Sequence, residues 1–213
     1  MAVIKSALEL ALERAKGLQV DESAQKISEA RMLGRKAAAR WMEDPSVANP
    51  VQDIQGLDEE ARKAFARAAF DILTSQLQLP LGTTYDAKTV EAAGKTLTLL
   101  ARVAPAARTP REAQLLERQL LSFSGQITDF IAQYMQEMQR IEQAIRNQWA
   151  PRLREKERQL AAQLGQNIRI DPMSDPEFAE YYRKNVDTVR KNYTAALEQA
   201  KAQVAAMLGL ESE

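Results

Sequence analysis

One apolar stripe constrains the fold of this chain more than any other feature. Between residues 110 and 164 the large apolar side chains recur every three or four residues: Leu116, Leu120, Phe123, Ile127, Phe130, Tyr134, Met138, Ile141, Ile145 and Trp149. Nine steps cover 33 residues, so the mean spacing is about 3.67 residues, nearer to an eleven-residue pattern than to a heptad. The stripe therefore predicts one long, nearly straight amphipathic helix rather than a leucine zipper. Pro151 interrupts this segment, and the sequence leaves open whether it kinks one helix or separates two.

Capping residues, glycines and prolines predict the bounds of five further helices. The fifth helix in chain order begins at Thr109-Pro110-Arg111-Glu112. Here a capping threonine precedes a proline, and the glutamate can accept from the backbone amide of the threonine. Strand signals are almost absent, since only residues 167–170 alternate in polarity. The other predicted helices span 3–16, 22–43, 58–76, 86–104 and 176–208.

These elements predict an all-α fold, a multi-helix bundle with a long antiparallel C-terminal helical hairpin. Residues 1–105 form the alanine-rich half of the bundle, and residues 110–208 form the hairpin that packs against it, as two domains or as one. Small residues let the first four helices approach closely, while a few large side chains fix their packing. We assign that role to Leu33, Trp41, Phe65, Phe70, Ile72 and Leu73.

Composition excludes several classes of chemistry. The 213 residues contain no histidine and no cysteine, which excludes Ser-His-Asp hydrolases, ordinary zinc sites and disulfides. Basic and acidic residues number 29 each, so no net field attracts nucleic acid or anionic lipid, and any such binding requires a local patch. No uncharged run reaches the roughly 18 residues that cross a bilayer. We expect a soluble, cytoplasmic protein.

The tripeptide Gly94-Lys95-Thr96 resembles the end of a phosphate-binding loop. That motif requires a glycine five positions earlier and a strand that leads into the loop. Thr89 occupies the earlier position, and Asp86 begins a helix instead. We interpret the segment as a helix in which Gly94 permits close packing. No catalytic, cofactor-binding or metal-binding residue is predicted, and the acids of residues 171–177 serve as turn and cap residues.

The candidate binding residues lie in two basic stretches, residues 152–158 and residues 183–191. Antiparallel pairing of the hairpin helices brings residues 152–158 toward residues 176–190, so the two stretches are expected to meet near its tip. A patch of this kind suits an acidic protein, an RNA or an anionic surface. The alternative is that Tyr182, Val186, Val189 and Tyr193 form the apolar core stripe of the sixth helix, and that the cations lie on its solvated flank. The candidates are Arg152, Arg154, Lys156, Arg158, Arg183, Lys184, Arg190 and Lys191.

The sequence therefore predicts a non-enzymatic helical scaffold, adaptor or structural assembly protein that acts through protein–protein contacts. The expected partners are proteins, including a second copy of the chain. A second apolar edge on the fifth helix favours a homodimer, because it widens the stripe beyond one seam. Its residues are Leu115, Leu121, Ile131 and Met135. The alternative function is a binding module for nucleic acid or another anionic surface, based on residues 152–158 and 183–191.

Overall fold

A computed structural model describes residues 22–82, 86–166 and 169–211. Within these residues the chain forms six α-helices and three short 3₁₀ helices, with no β-strand, which confirms the all-α prediction. The predicted helix 3–16 lies outside the described residues. The α-helices are α1 Glu22–Glu43, α2 Pro50–Asp53, α3 Glu59–Ser75, α4 Ala87–Leu97, α5 Pro110–Leu164 and α6 Pro176–Met207.

The two long helices begin and end at the predicted signals. Thr109 and Glu112 form a reciprocal capping box at the start of α5, and Pro151 lies inside this helix without dividing it. Helix α5 ends at Gly165, whose φ is 66°. At the end of α6, Gly209 has a φ of 74°, and the Leu210 amide donates to the Ala205 carbonyl at 2.8 Å. This is the Schellman ending expected where a glycine follows a helix.

The predicted helix 86–104 is wrong in its second half. Helix α4 ends at Leu97, and Thr98–Arg102 forms a 3₁₀ helix. A 3₁₀ helix has three residues per turn, so side chains three positions apart point in the same direction. Leu100 and Ala101 of this 3₁₀ helix are buried, as are Leu97 before it and Val103 after it.

The main core contains residues of α1, α3 and α4, of the first half of α5 and of the last part of α6. We call the part of the protein built around this core the head. Small residues bring its helices together, as predicted. A Cβ atom added to Gly34 of α1 would lie 2.2 Å from the Phe65 carbonyl oxygen of α3, so the two backbones are in direct contact there. Trp41 and Phe65 are fully buried beside this contact. Leu33, in contrast to the prediction, is 43% exposed.

Contacts across α5 and α6 show that the two helices run antiparallel. Tyr134 contacts Tyr193, and Trp149, farther along α5, contacts Phe178, nearer the start of α6. The second apolar edge predicted on α5 does not form one exposed surface. Ile131 of that edge is fully buried and Met135 packs in the hairpin. The two other members of the edge, Leu115 and Leu121, remain exposed.

Candidate functional site

The outer part of the hairpin is a two-helix arm, residues 141–166 and 169–182. Among the described residues, its apolar cluster draws on α5 and α6 alone, and it is separate from the core of the head. Trp149 lies edge-on to Phe178 with ring centroids 5.8 Å apart, and it also contacts Tyr181 at 5.7 Å. The part of α5 that belongs to the arm, residues 141–164, is about 36 Å long at 1.5 Å per residue. The arm thus holds itself together by aromatic packing and leaves most of its surface open.

An ion cluster lies near the end of the arm. Lys156 on α5 donates to Asp175 at 2.5 Å and to Glu177 at 3.1 Å across the hairpin. Asp175 also caps α6 by accepting from the Phe178 amide at 3.0 Å. The hydrogen bond from Lys156, and then that amide, hold the pKa of the Asp175 carboxyl below its usual value. Lys156 therefore acts as a cross-helix contact within the protein.

The other predicted residues of the first basic stretch face mixed surroundings. Arg152 places its guanidinium 5.1 Å from the centre of the Trp149 ring, where a cation and the face of an aromatic ring attract each other. Arg158 lies 3.8 Å from Glu155 on its own helix. Arg154 is exposed. Acidic and basic groups therefore alternate over this part of the arm.

The second basic stretch lies nearer the head than the first. Arg183 Nε donates to the Ala179 carbonyl of its own helix at 3.1 Å. Arg190 donates to the Tyr134 hydroxyl at 3.3 Å and to the Leu81 carbonyl at 3.2 Å. Lys184 and Lys191 are exposed.

The structure separates the two basic stretches along the hairpin. Tyr182 contacts Glu142, which lies twelve residues before Arg154 on α5, or about 18 Å along the helix axis. Arg183 is therefore beside the base of the arm, whereas residues 152–158 lie near its end. Whether the eight residues bind a partner stays a prediction.

A pocket of about 290 Å³ opens where the arm meets the head, and we call it the junction pocket. Residues 80–82 form one wall, and α5 and α6 form the others. The floor is apolar, and the lining also includes four charged side chains, two tyrosines and one glutamine. The lining residues on α5 and α6 are Tyr134, Met135, Met138, Gln139, Glu142, Tyr182, Arg183, Val186, Asp187 and Arg190.

Two tyrosine hydroxyls connect the charged groups of the junction pocket to its walls. Tyr182 donates to the Glu142 carboxylate at 2.6 Å. Burial, and then the negative charge and hydrogen bond of Glu142, raise the pKa of Tyr182 to about 12. At the other end of the pocket Tyr134 accepts from Arg190. Tyr182 therefore remains protonated near neutral pH, and the two hydroxyls hold one anion and one cation at opposite ends of the pocket.

The sequence interpretation missed the junction pocket. Tyr134 and Tyr182 were assigned to the apolar stripes, and that assignment is correct for their rings. A buried tyrosine hydroxyl, however, needs a hydrogen-bond partner, and two tyrosines on facing stripes are a signal for buried polar contacts between helices. The partners themselves lie 40 and 56 residues away in sequence.

An apolar groove of about 510 Å³ runs between α5 and α6 on the head. Its apolar lining consists of Phe123, Ile127, Phe130, Ala200, Val204 and Met207, and its remaining lining residues are Gln119, Ser122, Gln126, Ala196 and Gln203. None of these eleven residues is charged, although 27% of the chain is. Leu115, one helical turn before Gln119, is 57% exposed. Apolar surface without charge is typical of the centre of a protein–protein interface.

The segment Gly94-Lys95-Thr96 is helical, as predicted. The Thr96 hydroxyl donates to the Ala92 carbonyl at 2.9 Å, and Lys95 pairs with Glu91 at 2.7 Å. A Cβ atom on Gly94 would lie 2.0 Å from the Ser124 Oγ of α5, so this glycine permits close packing of α4 and α5. The resemblance to a phosphate-binding loop is therefore explained by helix packing.

The described residues contain no group of three or more acidic side chains arranged to hold a metal ion. None of their helices combines the length and apolarity that a membrane span requires.

Comparison with known proteins identifies the family of the chain. Residues 51–206 match a family of unknown function (DUF6657), which is more than two thirds of the sequence. The chain belongs to this family. No curated protein and no solved structure matches the chain. The matched region contains α3 to α6, and with them the arm, the junction pocket and the apolar groove.

Proposed function

We propose that this member of the DUF6657 family is a non-enzymatic helical scaffold or adaptor, which dimerises through the apolar groove and presents its arm to protein partners. The observation that supports this proposal is the uncharged lining of the groove. An apolar channel between two helices suits an apolar side chain or helix face from another molecule. The groove and the exposed Leu115 lie side by side on one surface.

A second copy of the chain matches this surface by symmetry. In a two-fold dimer the same patch is used by both subunits, so each copy offers its Leu115 and receives its partner's. Fully burying a leucine side chain is worth about 1.5–3 kcal/mol. Leu115 is 57% exposed, so covering it stabilises an interface by about 1–2 kcal/mol. Two such contacts are worth about 2–3 kcal/mol, which is roughly 30- to 150-fold in the dimer dissociation constant.

Light scattering on a sizing column, over a wide range of protein concentration, tests the dimer. We expect a mass of about twice 23.8 kDa for the native chain. Leu115→Glu and Ala196→Glu each place a charge at the groove and should give the monomer. Leu121→Glu is the matched control, because Leu121 is equally exposed at 56% but lies about 120° around α5 from Leu115. A monomeric native chain, or dissociation by Leu121→Glu alone, contradicts a dimer through the groove.

Photo-crosslinking in native cells tests the role of the arm. A photoreactive residue replaces Gln143 or Gln163, which are exposed on the arm, and Gln55 on the head serves as the control. The proposal predicts discrete protein adducts from the arm positions and few from the control. Recovery of nucleic acid instead, lost after charge reversal of residues 183, 184, 190 and 191 and weakened by salt, would support the nucleic-acid alternative.

A further inference from the structure

The junction pocket contains charged groups that a role as a scaffold does not require. Four charged side chains line it: Glu142, Arg183, Asp187 and Arg190. Among the residues that the structure describes, none of the four forms an ion pair within 4.0 Å. Arg183 and Asp187 are four residues apart on one helix, a spacing at which opposite charges often meet. Two cations and two anions thus line one cavity without forming a direct ion pair, although Asp187 lies close enough to Arg190 to attract it electrostatically.

Hydrogen-bonding capacity also remains at both ends of the pocket. A guanidinium carries five N–H donors, and Arg190 uses Nε for Tyr134 and one terminal nitrogen for Leu81. A carboxylate has two oxygens that each accept, and Glu142 accepts at Oε1 from Tyr182. Within the described residues, no protein group bonds its other oxygen. The protein fixes these two charged groups in place and leaves part of each available to a ligand.

The floor of the pocket limits the ligand to a molecule with an apolar portion. Met135, Met138 and Val186 supply apolar surface between the charged groups. Methionine side chains adapt to apolar groups of different shapes. The volume of about 290 Å³ corresponds to roughly ten water molecules at about 30 Å³ each. It lies at the small end of the range for ligand pockets.

We propose that the junction pocket binds a small zwitterion, in which a carboxylate and a primary ammonium are joined by an apolar body. The ligand carboxylate binds the guanidinium of Arg190 or Arg183, and its ammonium binds the carboxylate of Glu142 or Asp187. Methionine and valine side chains contact the apolar body. Guanidinium binds carboxylate through parallel hydrogen bonds, so both charged groups of the ligand find partners that are already in position.

Free amino acids and short peptides both have this chemistry, and their lengths differ. The contacts of Glu142 and Arg190 are eight residues apart on α5 and on α6, which is about 12 Å along each helix. Arg183 and Asp187 are four residues apart, or about 6 Å. The wider separation includes a hydrogen bond of about 2.9 Å at each end, and the remaining distance of about 6 Å suits a peptide of about two residues, since an extended chain spans about 3.3–3.6 Å per residue. The narrower separation suits a free amino acid.

Isothermal titration of the full-length chain tests the proposal with L-leucine and the dipeptide Leu-Leu as probes. N-acetyl-leucine lacks the ammonium and leucinamide lacks the carboxylate, so these two report on the charges. We expect at least one zwitterion to bind about ten-fold more tightly than either blocked probe, because each loses a charged hydrogen bond. The tighter of leucine and Leu-Leu identifies the source. No heat from either zwitterion at millimolar concentration, or equal binding of the blocked probes, overturns the proposal.

Three substitutions assign the binding to the pocket. Glu142→Gln removes a charge but keeps an oxygen that accepts from Tyr182, and Arg183→Met and Asp187→Asn replace charges near the pocket opening. Each should weaken binding of the zwitterion about ten-fold while thermal unfolding stays unchanged. Lys184→Met is the matched control, because Lys184 neighbours Arg183 but does not line the pocket. If the variants fold and all of them bind the zwitterion as tightly as the native chain does, the proposed site is refuted.

Discussion

Gly94→Ala tests the close packing of α4 on α5. The added Cβ atom would lie 2.0 Å from Ser124 Oγ and 2.8 Å from Ser124 Cβ. A change of side-chain rotamer moves Oγ, but it leaves Cβ where it is. The two helices must therefore separate by several tenths of an ångström, in a region where Ser124 is 5% exposed. Overpacking of this kind costs about 1–3 kcal/mol.

Helix propensity acts in the opposite direction, and a second glycine isolates its effect. Alanine is about 1 kcal/mol more favourable than glycine inside a helix. Gly125 is next to Ser124 on α5, is exposed, and a Cβ atom added there meets nothing within 4 Å. Gly125→Ala should therefore raise the free energy of unfolding by up to about 1 kcal/mol. Because both variants share the propensity gain, Gly94→Ala should be less stable than Gly125→Ala by about 1–3 kcal/mol.

Urea unfolding followed by circular dichroism measures this difference. A double-mutant cycle with Ser124→Gly adds a direct test, because glycine removes both clashing atoms and leaves the Ser124 Cα at 3.4 Å. The cost of Gly94→Ala should then fall markedly, which appears as a coupling energy between the two positions. If Gly94→Ala is as stable as Gly125→Ala, or if its cost is the same in both backgrounds, the packing argument is refuted.

Three further predictions concern the backbone contact and two titrating groups. Gly34→Ala should destabilise more than Gly94→Ala in the same urea assay, because its Cβ meets the Phe65 carbonyl of the backbone at 2.2 Å, and equal stability would contradict this. The pKa of the Asp175 carboxyl is lowered from 3.8 in the folded protein. The charged carboxylate therefore stabilises the fold above its usual pKa, and this stabilisation is lost as pH falls through the lower, folded pKa. Asp175→Asn, which keeps a capping oxygen, should flatten the acid limb of the stability profile. The pKa of Tyr182, raised from 10.0 to about 12, makes stability fall between pH 10 and 12, and Tyr182→Phe should show a smaller loss there.

Local signals account for what the sequence predicted well. The start of α5 at Thr109 and the start of α6 at Asp175 depend on side chains that bond amides three residues away. Such contacts can be inferred from a few consecutive residues. The change to a 3₁₀ helix after Leu97 has no such signal, because it depends on which side chains the rest of the core accepts. The interpretation of residues 86–104 as one helix failed for that reason.

The junction pocket was not predictable for a related reason. Its formation depends on the register of α5 against α6, which brings Glu142 to Tyr182. It also depends on the path of the chain near Leu81, whose carbonyl accepts from Arg190, 109 residues later in the sequence. Neither is determined by periodicity within one helix. The basic residues illustrate the same limit, since the charge pattern was visible but the separation of about 18 Å between the two stretches depends on register.

The head and the arm solve the problem of burying apolar surface in different ways. In the head several helices surround each other, and glycine or alanine at their crossings brings the backbones close, as at Gly34 and Gly94. In the part of the chain that the structure describes, the arm consists of two helices, and large aromatic rings supply much of its buried area. Trp149 and Phe178 serve this purpose. Because its cluster is separate from the main core, the arm can open locally at a lower free energy than the head. A ligand in the junction pocket would contact Glu142 and Tyr182 at the base of the arm and Tyr134 and Arg190 beside it, so its binding would oppose local opening of the arm.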